Sequence, residues 1–201
     1  LPNDTENEYV FFFAQRNLTF LNALKSRKWV ERGITVTSPS EIANHLSGLD
    51  LYFCPVGILE PRPVPVPSVY TLADIQDSFF PQFFTRRTLH ARRMHYRNSV
   101  RMADRVITIS DFSRNALIEK YRVSPPKVAR IYLSAEDDFY AGPGPGDSAR
   151  PDGVPGRYVF YPANRWKHKN HATILDAIGI LNRTYGDDVF LVLTGEDPEN
   201  A

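Results

Sequence analysis

Apolar residues fall along this chain in short runs, and stretches with helical spacing lie between several of them. The runs Tyr9–Ala14, Ile34–Thr37, Leu51–Cys54, Ser68–Leu72, Val106–Ile109, Val128–Tyr132, Tyr158–Tyr161 and Val189–Thr194 predict β-strands. Several are continuously apolar rather than alternating, which is the pattern of strands covered by helices on both faces of a parallel sheet. Helices are predicted over Pro39–Ser47, Arg86–Ala103, Phe112–Tyr121 and Ala172–Tyr185. In the last of these Ile174, Leu175, Ile178 and Leu181 share one face, which is expected to be buried. Ser110-Asp111-Phe112-Ser113 reads as a strand running into a helix, with Ser110 as N-cap and Asp111 at the positive end of the helix dipole. Alternating strands and helices predict an α/β fold with mainly parallel sheets.

One segment breaks the alternation. Gly142-Pro143-Gly144-Pro145-Gly146 through Gly153-Val154-Pro155-Gly156 holds nothing that could build a core, so it reads as a linker. It divides the chain into a first domain over 1–140, a linker over 141–156 and a second domain from 157 to 201. The same segment would also serve as a long loop inside one domain. The 201 residues suffice for one domain and part of another.

Composition removes some function classes. Lys plus Arg is 24 and Asp plus Glu is 23, so no global basic excess announces a nucleic-acid binder. Cys54 is the only cysteine, which excludes an intrachain disulfide and a cysteine-based metal site. No apolar run is long enough to cross a bilayer as a helix.

The stretch richest in chemistry is Tyr161-Pro162-Ala163-Asn164-Arg165-Trp166-Lys167-His168-Lys169-Asn170-His171, between a strand and an amphipathic helix. Ligands of open α/β sheets bind beyond the carboxyl ends of the strands, where helix N-termini present free N–H groups. Arg165, Lys167 and Lys169 add fixed cations there, a combination suited to a diphosphate. A solvated basic loop has the same composition.

This run, followed by Ala172–Leu181, resembles the start of the donor domain of glycosyltransferase family 4, the group 1 glycosyltransferases. Two further segments resemble the same family in the expected order. Val106-Ile107-Thr108-Ile109-Ser110-Asp111-Phe112-Ser113-Arg114, with Val123-Ser124-Pro125-Pro126-Lys127-Val128 after it, matches a strand–Ser–helix element. Val69-Tyr70-Thr71-Leu72-Ala73-Asp74-Ile75-Gln76-Asp77-Ser78-Phe79-Phe80-Pro81 matches a loop that in many relatives reads His-Asp-Leu-Gln-His-x-x-x-Pro. The three segments span roughly residues 68–195, and residues 1–67 match only loosely.

The resemblance implies a GT-B fold with two Rossmann-like domains, the second incomplete here. It implies a retaining, mannosyltransferase-like hexosyltransferase that moves a sugar from a nucleotide sugar, such as GDP-mannose or UDP-glucose. The acceptor would be a glycan or lipid-linked molecule in polysaccharide or glycoconjugate synthesis. Lys169 would bind the donor diphosphate, with Arg165, Asn164 and Asn170 beside it. Ser110, Gln76 and Gly195 would face the cleft, and Asp74 would be the candidate catalytic residue. Ala73 and Asp77 stand where many relatives carry His, so no role of the first His transfers. No cofactor or metal is implied, and the chain contains no Asp-x-Asp and no His cluster with ligand spacing. The family's Gly-rich opening turn and its later Glu-x7-Glu pair do not occur, so the piece reads as interrupted at both ends and inactive alone.

A rival signal lies in Arg86, Arg87, Arg92, Arg93, Arg97, Arg101 and Arg105, with His90 and His95 among them. Leu89, Met94, Tyr96 and Val100 are expected to supply that helix's apolar contacts. The charge suits a solvated face, or peripheral contact of a cytoplasmic protein with anionic lipid at the inner membrane face. Two other classes therefore stand beside the transferase: an anionic-surface or nucleic-acid binding module using this helix, and a GT-B relative that is an epimerase or phosphorylase. Nucleic acid is not expected as a partner, because no recognised motif or stacking cluster accompanies the arginines.

Overall fold

A computed structural model of the protein describes residues 4, 6–14, 33–55, 57–135, 140, 153–186 and 188–196. Within them β1 (Phe11–Ala14) pairs in parallel with β2 (Gly33–Val36). The strands β3 (Tyr52–Cys54), β4 (Ser68–Thr71), β5 (Arg105–Thr108) and β6 (Val128–Arg130) form one all-parallel sheet in that order. Two further strands, β7 (Tyr158–Pro162) and β8 (Phe190–Thr194), pair in parallel with each other. The fold class is α/β with parallel sheets. Two units divide the chain, Leu1–Leu133 and Ser134–Ala201, and residues 141–152 of the expected linker lie outside the described residues.

Parallel strands need crossovers. Between β4 and β5 the crossover runs through the single turn α1 (Gln76–Phe79), a 3-10 turn over Pro81–Phe83 and the long α2 (Arg86–Met102). Between β5 and β6 it is α3 (Asp111–Tyr121) and a 3-10 turn over Pro125–Lys127. Between β3 and β4 no helix forms, because the run from Pro55 to Pro67 is too rich in proline to supply the N–H groups. Its Leu59 is fully buried and its N–H donates to Ser99 Oγ of α2 at 3.1 Å, while Tyr70 Oη donates to Gly57 O at 2.9 Å.

The core of the first unit lies around β4 and β5, where Tyr70, Val106, Leu117, Val100 and Leu46 are excluded from solvent. Tyr70 stands opposite Val106 and Val106 opposite Val128, so the ladder stacks core residues across three strands. At the amino edge of this pairing Asp104 Oδ2 accepts from the N–H and Oγ–H of Ser68, at 2.8 and 3.0 Å. Those donors hold the Asp104 carboxyl below its ordinary range. At the carboxyl edge the buried Thr108 donates its hydroxyl to Ala73 O at 3.1 Å.

Four sequence expectations need correction. The helix expected over Pro39–Ser47 ends earlier, as a 3-10 helix over Pro39–His45. The run Val128–Tyr132 ends as a strand at Arg130, since the last ladder bond is Ile131 N–H to Thr108 O and no neighbour strand continues beyond it. Met94 points outward at 51% exposure and leaves the packing of α2 to Tyr96, Val100 and Met102. In the second unit β7 and β8 are largely exposed, and α4 (His171–Tyr185) buries none of its residues fully. Leu175 is 54% exposed and Ile174, Ile178 and Leu181 are only half-buried. A two-stranded sheet with one helix has too little surface to cover both faces.

Thr108→Val tests the carboxyl-edge tether. It keeps the side-chain shape but strands the Ala73 carbonyl, so urea denaturation should show a loss of about 1–2 kcal/mol.

Candidate functional site

The carboxyl ends of the parallel strands bring together the residues singled out by sequence, in two groups, one in each unit. In the first unit β4 leads into Ala73-Asp74 and β5 into Ser110. Asp74 is exposed, and its Oδ1 accepts the N–H of Gln76 at 3.1 Å, closing the turn that starts α1. Ser110 caps α3 by accepting the Ser113 N–H at 3.0 Å, and donates its own hydroxyl to Ser113 Oγ at 3.1 Å. Its polar capacity is thus largely committed to the cap. Asp111, at the first position of α3, ion-pairs with Arg130 at 2.7 Å.

Asp77 departs from what its neighbours suggest. Three residues from the exposed Asp74 and within α1 itself, its carboxylate is fully buried, and neither oxygen has a hydrogen-bond partner among the described residues. The nearest cation is Arg92, whose Nη1 lies 4.0 Å from Oδ1. Burial raises the Asp77 carboxyl above its usual range, against the pull of Arg92 and Arg93. Burial also raises the neighbouring phenols of Tyr96 and Tyr121. Arg92 therefore does not belong to a free cationic surface: it faces Asp77 and sits 4.7 Å over the Phe84 ring.

Sequence reading missed the aromatic surface beside this group. The rings of Phe79 and Phe112 lie 5.0 Å apart, and Phe112 is 67% exposed. Phe79 belongs to α1, which follows the turn that holds Asp74, and Phe112 to the first turn of α3, so the two rings make an apolar contact near that turn. Their spacing matches neither a strand nor a helix face; the only available signal was Phe-Phe-Pro after a polar stretch.

In the second unit β7 leads into a turn that is tied to the turn after β8. The N–H of Ala163 donates to Thr194 O at 3.0 Å and the N–H of Arg165 to Glu196 O at 2.9 Å. Asn164 Oδ1 accepts the Glu196 N–H at 2.9 Å, so this side chain joins the two turns rather than pointing its carbonyl outward. Gly195 makes the approach feasible. Its φ is +132°, and a Cβ there would meet the Ala163 carbonyl carbon and oxygen at 2.6 Å. Only a residue without a side chain fits.

Beyond that tie, a 3-10 turn over Lys167–Lys169 and a left-handed Asn170 (φ +53°) lead into α4. Tyr161 donates its hydroxyl to Lys169 O at 2.8 Å, and His171 Nε2 lies 3.2 Å from Ala163 O. The side chain of Asn170 accepts from the Thr173 hydroxyl at 3.0 Å and caps no backbone N–H, so the first turn of α4 keeps its donors free of a side-chain cap. Lys169 is exposed, and its ammonium has no hydrogen-bond or ion-pair partner among the described residues. An uncapped helix N-terminus with an ammonium beside it is electrostatically suited to an anion.

Among the described residues no group of three His, Cys, Asp or Glu side chains is placed to hold a metal ion, and no helix is long and apolar enough to cross a membrane. No protein-family model matches the chain, and no curated protein matches it in sequence.

Two outcomes test these placements. For Asp77, a carboxyl raised by burial favours folding fully below the ordinary aspartate range, about 3.9, and that contribution is lost as pH rises through its raised value. Asp77→Asn should therefore melt like the parent in acid and gain on it toward neutral pH, as read by melting temperature across a pH series. For Gly195, Gly195→Ala should displace residues 163–165 and destabilise the second unit by about 1–3 kcal/mol, measured by urea denaturation.

Proposed function

We propose that this chain carries the diphosphate-gripping turn and the acceptor-side sheet of a retaining, nucleotide-sugar-dependent glycosyltransferase of the GT-B type. The observation that carries this reading is the uncapped N-terminus of α4 with the unpaired Lys169 ammonium at the carboxyl end of β7. The order of the three segments resembling glycosyltransferase family 4 supports the same reading. So does the parallel α/β architecture of both units.

In this reading the donor is a nucleotide sugar such as GDP-mannose or UDP-glucose. Its diphosphate oxygens accept from the amide groups that open α4 and from Lys169, with Arg165 on the same turn. As the bond from the anomeric carbon to the diphosphate breaks, the leaving oxygen gains negative charge. Fixed donors aimed at that oxygen lower the barrier without having to reorganise during the step. The acceptor hydroxyl attacks the anomeric carbon from the face that the diphosphate leaves, and its proton passes to the departing phosphate. On the acceptor side, Asp74 offers its second carboxylate oxygen to a sugar hydroxyl, and Phe79 and Phe112 offer apolar rings to a sugar face or lipid chain. Ala73 offers no proton-carrying group, so the transfer assigned here does not use a base at that position.

Binding of a nucleoside diphosphate is the direct test. Titration calorimetry of the parent chain with GDP and with UDP should show one binding event for the preferred base. Lys169→Ala should weaken it by about tenfold to a hundredfold, the loss of one charge-assisted contact to phosphate. No binding of either nucleotide, or binding that ignores Lys169, would refute the proposal.

A further inference from the structure

The helices α2 and α3 both end at the amino edge of the four-stranded sheet, because each returns the chain to the start of the next parallel strand. Between those ends lies a hollow of about 750 Å³. Its floor is Val100 and Val123, both buried, and its walls carry Arg97 and Arg101 from α2, Arg122 just past α3, and Lys127. The stem of Lys120 also borders it, but that ammonium is held 4.7 Å over the Phe79 ring. Lys127 donates one of its protons to Arg101 O at 2.9 Å and keeps two. Among the described residues, no carboxylate lies within ion-pair distance of Arg97, Arg101, Arg122 or Lys127. Asp104 is the carboxylate whose charge bears on Lys127, and it is bound to Ser68.

We propose that this hollow is a binding site for a multiply charged phosphoryl group such as a diphosphate. Four cations facing one space repel each other unless an anion fills it, and three of them are guanidinium forks that fit phosphate oxygens two at a time. A single carboxylate would neutralise only one of the four. The volume lies within the range of small-ligand sites and exceeds one phosphate. Ser124, at the rim, adds a hydroxyl that caps nothing. The one ring in its lining is Tyr121, which is half-buried with its hydroxyl enclosed, so the hollow lacks the row of exposed rings on which single-stranded nucleic acid stacks.

Arg122 strengthens the case. It occupies a left-handed conformation (φ +53°) directly after α3, where glycine is the favoured residue. Arg122 thus borders the hollow from a backbone conformation that any side chain disfavours. The site is separate from the turn that holds Asp74 and Ser110, since the 11 residues of α3 rise about 16 Å between the two edges. It is also independent of the transferase reading.

Calorimetric titration with sodium pyrophosphate at fixed ionic strength tests the site. The Lys169→Ala chain serves as the parent, so that binding at the α4 turn is weakened and any remainder is recognised by its indifference to changes at Arg101 and Arg122. A binding event is expected that is weakened about tenfold by Arg101→Gln and again by Arg122→Gly. Arg122→Gly should melt no lower than the parent, because glycine relieves the left-handed conformation, so its loss of binding cannot be loss of folding. Sedimentation with phosphatidylcholine vesicles, with and without phosphatidic acid, identifies the source of the phosphoryl group. Retention on the acidic vesicles that pyrophosphate displaces assigns a lipid headgroup; pyrophosphate binding without retention assigns a soluble phosphorylated ligand. The proposal fails if sodium chloride reproduces the pyrophosphate effect or if both arginine variants bind like the parent. It also fails if an RNA oligonucleotide binds more tightly than pyrophosphate through the same residues.

Discussion

The pairing of β4 with β5 is the constraint on which the first unit depends. It is fastened at both ends by groups outside the ladder: Ser68 to the Asp104 carboxylate at the amino edge, and Thr108 to Ala73 O at the carboxyl edge. Tyr70 and Val106, opposite each other between these fastenings, are completely buried. A slip of one residue would turn both to the other face and break both fastenings together. Because the register is fixed, the turn after β4 and the cap after β5 emerge side by side, and α2 and α3 are obliged to end together at the opposite edge. The two chemically distinct edges of this unit follow from one register.

Much of this was legible in the amino-acid sequence. Strands that must be apolar along most of their length announce themselves, so the eight runs fall within a few residues of β1 to β8. Ser110 was recognisable as an N-cap because the cap is a local interaction, complete within four residues. What was not legible depends on contacts between distant segments. Asp77, in a polar stretch beside Asp74, reads as one more turn residue, and only the packing of α1 decides that it is buried. The apolar face of α4 carries the spacing of a buried face, but spacing records which residues share a side and not how fully that side is covered. Gly195 shows its reason only when the backbone at Ala163 is seen against it.

The arginine-rich segment shows the same limit. As a string it is a uniform charged helix, and a solvated face was the plain reading. The fold sorts its members. Arg92 turns inward to Asp77 and Phe84, whereas Arg97 and Arg101 border a hollow together with Arg122 and Lys127. Periodicity can relate Arg97 to Arg101, which are four residues apart on one helix. It cannot relate either to a residue past the end of another helix; that requires knowing that both helices return to the same edge of a parallel sheet.

The two places proposed to attract anions would work by opposite electrostatics. At the start of α4 the helix itself would supply much of the attraction: its free N–H groups and its dipole are positive there, and Lys169 adds an ammonium with no partner among the described residues. At the ends of α2 and α3 the dipoles point the other way, and their last carbonyls repel an anion. Part of the positive charge there is used against those carbonyls, as the bond from Lys127 to Arg101 O shows. A site at that edge needs several side-chain cations where a helix start needs one, and it needs them on more than one element. That asymmetry explains why the hollow gathers Arg97, Arg101, Arg122 and Lys127 from two helix ends and the connection beyond α3. It also explains why a left-handed arginine is tolerated after α3: a glycine there would ease the backbone but remove a charge that the helix ends do not provide.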